Sequence, residues 1–311
     1  MLTTRRLRAL TSLPLLAVSA MVLGACGGSD DALDSGTSTE TSAPDTIVVG
    51  SANFPENVLL AEMYAGVLEA KGVTVEKKLN IGAREVYIPA LQDGSIDLLP
   101  EYSGALLSYF TKGETSATDS EGVYAELKDN LPDGLTLLEQ SAAEDKDTLS
   151  MTKEKAESLG VTSIADLKGK SEDLVLGAGP EFRTRQTGVV GLESVYGLTF
   201  KEFKPLDVGG PLTVAALKDG SIDVGNLFST DSSITTNGFV VLEDPENLFL
   251  AENVVPVINS DKLTPDVEAA LNELSAKLTT ENLTEELAKV QVDKQPAETV
   301  AADFLSAQGL T

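Results

Sequence analysis

Tyr102 and Phe228 each stand five residues after the Asp of an octapeptide that occurs twice in the chain. The first copy is ALQDGSID, Ala90 to Asp97; the second is ALKDGSID, Ala216 to Asp223, 126 residues further on. The match extends outward. IVVGSANFPEN from Ile47 resembles LVLGAGPEFRT from Leu174, with Gly50 and Gly177 at nearly the same offset, and Gly82 and Gly209 fall in register. A doubled supersecondary unit predicts two similar lobes, and aromatics at matching positions predict a cleft between them. The rest of the chemical inventory is mostly negative. There is no His, which excludes His-based metal sites and His general bases. The single Cys, Cys26, excludes an internal disulfide and a Cys-rich metal site. No motif pairs a nucleophile with a base. Paired carboxylates such as Asp147 and Glu252 are the candidates for acid–base work, should the chain be an enzyme.

The elements that position these residues follow from pattern. TIVVGSANFPENVLLAEMYAGVLEAKG reads as strand, turn and helix: Ile47 to Val49 form the strand, Asn53 or Pro55 opens the helix, and Val58, Leu59, Met63, Val67 and Leu68 give it an apolar stripe. VTVEKKLN is a second strand, IGAREVYIPALQDG a turn and a second helix, and SIDLLPEY a third strand. A βαβαβ series predicts a mostly parallel sheet whose ligand-bearing loops lie at the strands' C-terminal ends. Asn53, Arg84 and Tyr102 fall at those ends; Arg84 beside Glu85 also admits a solvated surface pair. The order repeats from Thr148: a short strand to Thr152, a helical segment, a strand at Leu174 to Leu176, a helix from Phe182 to Tyr196, a strand from Lys201 to Leu206, a helix from Thr213 to Lys218 and a strand from Ser221 to Leu227. LAENVVPVINSDKL then crosses back, and the helices from Pro265 onward pack on the first lobe. Asp97 and Asp223, at strand starts after a turn, are expected to bond local backbone N–H groups and are left out of the site. The chain therefore crosses between lobes twice, near 146–150 and near 252–257, a two-strand hinge of the kind that closes lobes around a ligand. The fold class is α/β. Lobe 1 is assigned to 46–146 and 256–311 and lobe 2 to 147–255.

The 311 residues suffice for two ordinary domains, and 42% hydrophobic with only 5% aromatic content describes a globular chain with an aliphatic core. A formal charge of −26 repels nucleic acid and anionic headgroups, so no nucleic-acid partner is expected. Residues 1–25 carry Arg5, Arg6 and Arg8, then the apolar run LPLLAVSAMVLGA, which is short for a membrane span and fits a signal peptide. The run ends in LGAC, and small residues before a lone Cys resemble the bacterial lipobox, which implies a lipid anchor on Cys26. Residues 26–45, with no apolar periodicity, read as a flexible tether. The folded part is then held at the extracytoplasmic face of the cell membrane.

At NFPEN, GAREVYIPALQDGSIDLLPEYSG, FSTD and AADFLSAQGL the chain resembles the substrate-binding proteins of bacterial ABC importers for glycine betaine, choline and related osmoprotectants. PEY followed by Ser-Gly, about fifty residues after NF-x-E, is the most specific piece. The resemblance implies a type II periplasmic-binding fold with two lobes, no catalysis, no cofactor and no metal. It also implies delivery of an osmolyte to a permease driven by a separate ATPase subunit; a monomer is expected. In such proteins aromatic rings surround a quaternary ammonium head, which cannot donate hydrogen bonds and is drawn to ring faces. Carried over position by position, the rings fall on Tyr102, Leu149, Phe228 and Glu252, so two of four are kept, and Asp147 matches an acid near the first crossing. This set leaves open a quaternary cation held largely by charge, or a solute that donates hydrogen bonds, such as an amine or polyol. The carboxylate of a betaine needs a guanidinium grip, for which Arg84, Arg183 and Arg185 are candidates, one of the latter two at an expected helix start. Asn53, Asn57, Ser103 and Thr230 are candidates for neutral hydrogen bonds.

Overall fold

The computed structural model describes residues 46–311, which belong to one compact unit. The expected leader, the tether and Cys26 lie outside the described residues. In chain order the strands are β1 (Ile47–Gly50), β2 (Val75–Lys78), β3 (Leu98–Tyr102), β4 (Leu135–Leu137), β5 (Asp147–Met151), β6 (Val175–Ala178), β7 (Glu202–Pro205), β8 (Val224–Phe228), β9 (Val240–Val241) and β10 (Val254–Asn259). The helices are α1 (Pro55–Ala70), α2 (Arg84–Gln92), α3 (Ser103–Thr111), α4 (Ser120–Asn130), α5 (Lys153–Leu159), α6 (Val189–Tyr196), α7 (Pro211–Asp219), α8 (Ser232–Asn237), α9 (Pro265–Ser275), α10 (Thr280–Gln291) and α11 (Ala297–Gln308).

Among the described residues the strands form two five-stranded mixed sheets, ordered β2-β1-β3-β10-β4 and β7-β6-β8-β5-β9. In each, a central strand pairs parallel with two neighbours, as helix-connected crossovers require: β1 with β2 and β3, β6 with β7 and β8. In each, one strand runs antiparallel beside the third parallel strand: β10 beside β3, β5 beside β8. By β5 the chain enters the second lobe, and by β10 it returns to the first. β3 and β5 are buried along their whole length, as sheets covered on both faces demand.

The doubled octapeptide builds the same joint in both lobes. Asp93 and Asp219 each accept from the backbone N–H two residues on, at 2.8 Å, closing the turn after α2 and α7. Asp97 Oδ2 accepts from Val48 N and Asp223 Oδ2 from Val175 N, both at 2.8 Å. The expectation of local bonds is thus corrected. Each Asp reaches a strand far upstream in the chain and fixes the start of the central strand against its neighbour. A Cβ on Gly50 would stand 2.8 Å from Ile96, and one on Gly177 2.6 Å from Ile222, so only glycine lets the Ile of each octapeptide seat against the strand.

Three readings shift. First, the expected helix from Phe182 to Tyr196 is two pieces, a 3-10 turn at Pro180–Arg183 and α6 from Val189. A Cβ on Gly188 would fall 2.0 Å from the Phe182 carbonyl oxygen, so the chain doubles back tightly here and cannot continue as one helix. Neither Arg183 nor Arg185 begins α6. Second, the apolar stripe of α1 widens into almost a full circumference: Leu59, Leu60, Met63, Tyr64, Val67 and Leu68 are fully buried. The cause is that α9, α10 and α11 cover the face that would otherwise be wet. Third, the first crossing lies a few residues earlier than spacing indicates. Ser141 N donates to Val254 O, Val254 N to Ala143 O and Asp145 N to Glu252 O, zipping the two linkers together. Val254 and Val255, assigned to lobe 2, already pair with Tyr102 and Glu101 in the first sheet.

Candidate functional site

The loops at the C-terminal ends of β1, β3, β6 and β8 meet, together with the linkers, around a cavity of about 40 Å³. The rings of Phe54, Tyr102 and Phe228 close it. Phe54, just before Pro55 at the start of α1, stacks on Phe228 of the other lobe at 5.0 Å between centroids and lies tilted at 5.9 Å from Tyr102. The remaining wall is charged: Arg84, Asp145, Asp147, Glu181, Arg185 and Glu252 all line it.

The cationic side chains are anchored. Arg84 Nε and Nη2 donate to Glu101 Oε1 and Oε2, each at 2.8 Å, and both residues are buried. Glu101 also accepts from Tyr87 Oη at 2.8 Å and from Tyr102 N at 3.0 Å, which fills its acceptor positions. Arg84 is therefore no solvated surface partner of its neighbour Glu85. Glu85 instead takes Arg185 from the other lobe, whose Nε and Nη2 reach Oε1 and Oε2 at 2.9 Å each. Two bidentate pairs thus flank the cavity, one buried within the first lobe and one, partly exposed, between the lobes.

The carboxyls are crowded. Glu56 Oε1 accepts from Tyr102 Oη at 2.8 Å, while Oε2 lies 2.5 Å from Thr230 Oγ1 in the other lobe. The same Thr230 oxygen is 2.9 Å from Asp145 Oδ1, which also accepts from Thr230 N at 3.0 Å. A hydroxyl has one proton to give, so through Oγ1 Thr230 donates to only one of the two acids at a time. Burial raises the pKa of Glu56, against the hydrogen bonds from Thr230 and Tyr102. Burial, then the charge of Glu56, holds Asp145 well above the usual carboxylate range. Asp147 is raised by burial despite a 2.7 Å bond from Asn226. Glu252 is pushed well up by burial and then by Asp147, with Arg84 and Lys146 opposing. Glu252 is 3% exposed, and its Oε1 has no hydrogen-bond partner among the described residues.

Of the residues singled out from sequence, Asn53, Arg84, Tyr102, Asp147, Arg185, Phe228 and Glu252 meet at this cavity. The others do not line it. Asn57 accepts from Ala52 N and donates to the Pro100 carbonyl, tying α1 to the strand ends. Ser103 donates to Ala251 O and accepts from Asn253 N, bracing the return linker. Leu149 is fully buried among Met151, Leu176 and Val224, because its side chain faces the core of the second lobe. Arg183 is exposed and lies 4.9 Å over the Phe203 ring, away from the cleft. Thr230 sits beneath the rings, in the carboxyl network. Sequence reasoning misses Phe54, Glu56, Tyr87, Glu101 and Asp145. Phe54 and Glu56 lie inside NFPEN and Glu101 inside PEY, so the motifs hold a signal that their individual residues do not.

A family model described as the substrate binding domain of ABC-type glycine betaine transport systems matches residues 45–307. The chain belongs to this family. It is a substrate-binding protein of an ABC-type importer. It is 27% identical over 283 residues to the glycine betaine-binding protein YehZ of Escherichia coli (strain K12), covering 86% of this chain and 92% of that one. It is 23% identical over 249 residues to the carnitine transport binding protein OpuCC of Listeria monocytogenes serotype 1/2a (strain 10403S), covering 78% and 80%. A crystal structure described as a glycine betaine/carnitine/choline ABC transporter superposes with a TM-score of 0.66 at 21% identity, over 85% of this chain and 99% of that one, a likeness of fold.

Proposed function

We propose that this protein is the extracytoplasmic receptor of an ABC importer for a quaternary-ammonium or related compatible solute, held between the two lobes and passed to a permease driven by a separate ATPase subunit. The observation that carries the reading is the meeting of Phe54 and Tyr102 from one lobe with Phe228 from the other, beside a wall rich in carboxyls. Ring faces attract a cation by about 0.5–2 kcal/mol per good contact, and more as water is excluded. The cavity of about 40 Å³ is too small for such a solute, so entry requires the lobes to part and Phe54 to leave Phe228. Closure about the zipped linkers then brings the rings back over the cation. The lobes in this reading are 46–146 with 256–311, and 147–255, save that Val254 and Val255 pair within the first sheet. In this reading residues 1–25 are a signal peptide, Cys26 carries the lipid and 26–45 are the tether, and the receptor works at the membrane as a monomer. Catalysis has no part in it.

A thermal-shift series with glycine betaine, choline, carnitine, proline and ectoine tests the reading, because a ligand that binds only the native state raises its stability by mass action. At least one trimethylammonium compound is expected to raise the melting temperature in a concentration-dependent way. No shift with any of them, or conversion of a bound solute to product, contradicts it.

A further inference from the structure

Phe54 and Phe228, the rings that stack across the cleft, are each followed two residues later by a polar group, and those two groups also meet. Glu56 Oε2 of the first lobe lies 2.5 Å from Thr230 Oγ1 of the second. Asp145, in the first linker, touches the same hydroxyl at 2.9 Å and accepts from Thr230 N at 3.0 Å. Glu56, Asp145 and Thr230 are all buried. Among the described residues no Lys or Arg side chain bonds to either acid. β3 presents Tyr102, whose hydroxyl donates to Glu56 Oε1 at 2.8 Å. The loop after β8 presents Ser229, 3.3 Å from Asp145 Oδ1, and Asp231, whose charge disfavours ionisation of Glu56. α10 presents Leu287 and Gln291. In the adjoining cavity Arg84 and Arg185 are each held by two bonds, to Glu101 and Glu85, and the other charges there, Asp147, Glu181 and Glu252, are negative. Lys146, next in the linker, bears on Glu252. Two carboxylates ionised together in such a place would be two buried charges of like sign, and one proton shared between them removes most of that cost.

We infer that closure of the lobes takes up a proton, shared by Glu56 and Asp145 against Thr230, so that solute capture is tied to pH and weakens as the medium becomes more basic. The inference rests on the proposed function in that capture closes the lobes. The coupling follows from spacing. Phe54 must leave Phe228 for a solute to enter, and Glu56 and Thr230 stand two residues beyond them, so parting the rings draws this contact apart and lets water in. Hydrated, each acid returns to the ordinary carboxylate range and gives up its proton at neutral pH. Burial raises both acids in the closed form, in keeping with this. The closed form thus binds the proton more tightly than the parted one. Capture is strongest below the ordinary carboxylate range and declines as pH rises toward the closed-form value, by at most about tenfold per pH unit for one proton. The proton belongs to the pair rather than to either acid.

Titration calorimetry on the full chain with choline and with glycine betaine tests this, because neither probe changes charge near neutral pH. Repeating each titration at one pH in buffers of different ionisation enthalpy counts the protons exchanged. Uptake of about one proton per solute bound is expected at neutral pH, with affinity falling severalfold per pH unit from mildly acid to mildly basic conditions. Glu56→Gln and Asp145→Asn are each expected to bring the uptake close to zero. The double variant Asp147→Asn, Glu252→Gln, which alters the other buried acids of the cavity, is expected to keep it. Protons counted per solute bound are insensitive to a fraction of unfolded variant. Uptake that is absent, or that survives both Glu56→Gln and Asp145→Asn, overturns the inference and leaves the receptor reading standing. Binding of neither probe at any pH overturns both.

Discussion

The two lobes share a joint and differ in what they place beside it. In both, an Asp reaches the first strand, a Gly lets an Ile seat, and the strand beyond ends in an aromatic residue at the cleft. In the register of the repeat, however, Glu101 of the first lobe corresponds to Leu227 of the second, and Arg84 to Gly210. The first lobe thus carries a buried ion pair under its ring and the second an apolar core under its own. What is repeated is the scaffold and the place of an aromatic ring, and what lies beneath the ring is where the copies diverge.

Breaking the divergent feature should cost most. Glu101→Leu gives the first lobe the second lobe's residue but leaves Arg84 buried without a partner, a loss of about 3–5 kcal/mol in denaturant unfolding. Arg84→Met with Glu101→Leu should recover much of it. A cost for Glu101→Leu below about 1 kcal/mol would mean the two lobes do not differ in this way. Breaking the shared feature should cost less and equally. Asp97→Ala and Asp223→Ala each leave a strand N–H without its acceptor, about 1–3 kcal/mol by the same measurement, and a marked inequality would show that the joints are not equivalent.

The junction between the lobes adds a pH dependence. Glu56, Asp145, Asp147 and Glu252 all have raised folded-state pKa values, chiefly from burial. The native state therefore holds protons that the unfolded chain releases. That contribution is fully present below the ordinary carboxylate range and is lost as pH rises toward the folded values. Melting without ligand is expected to fall from mildly acid to mildly basic pH, and Asp145→Asn to flatten the profile; a profile that rises instead contradicts the assignment. The smallest effect is expected from Glu85→Gln, which loosens the partly exposed pair with Arg185 across the cleft. It should cost at most about 1 kcal/mol, and less at high salt.

The repeat makes the architecture legible, because turn residues and βαβ order state their geometry locally. The cleft is legible as far as it lies at strand ends, hence Arg84, Tyr102 and Phe228. Leu149 misleads because a ring position inferred from resemblance says nothing about which face of β5 a side chain takes; here it faces the core. Arg183 misleads because the tight return at Gly188 breaks the helix expected there. Glu56 and Asp145 cannot be read as a pair, since they are remote in the chain and meet only in the fold, through Thr230.

The most direct test uses the cationic head alone. Tetramethylammonium binding, followed by NMR titration, should weaken by about 0.5–2 kcal/mol, or roughly two- to thirtyfold, in Phe54→Leu of the first lobe and again in Phe228→Leu of the second. Unchanged binding in both variants would contradict the account, for the rings would then meet across the cleft without holding the cation.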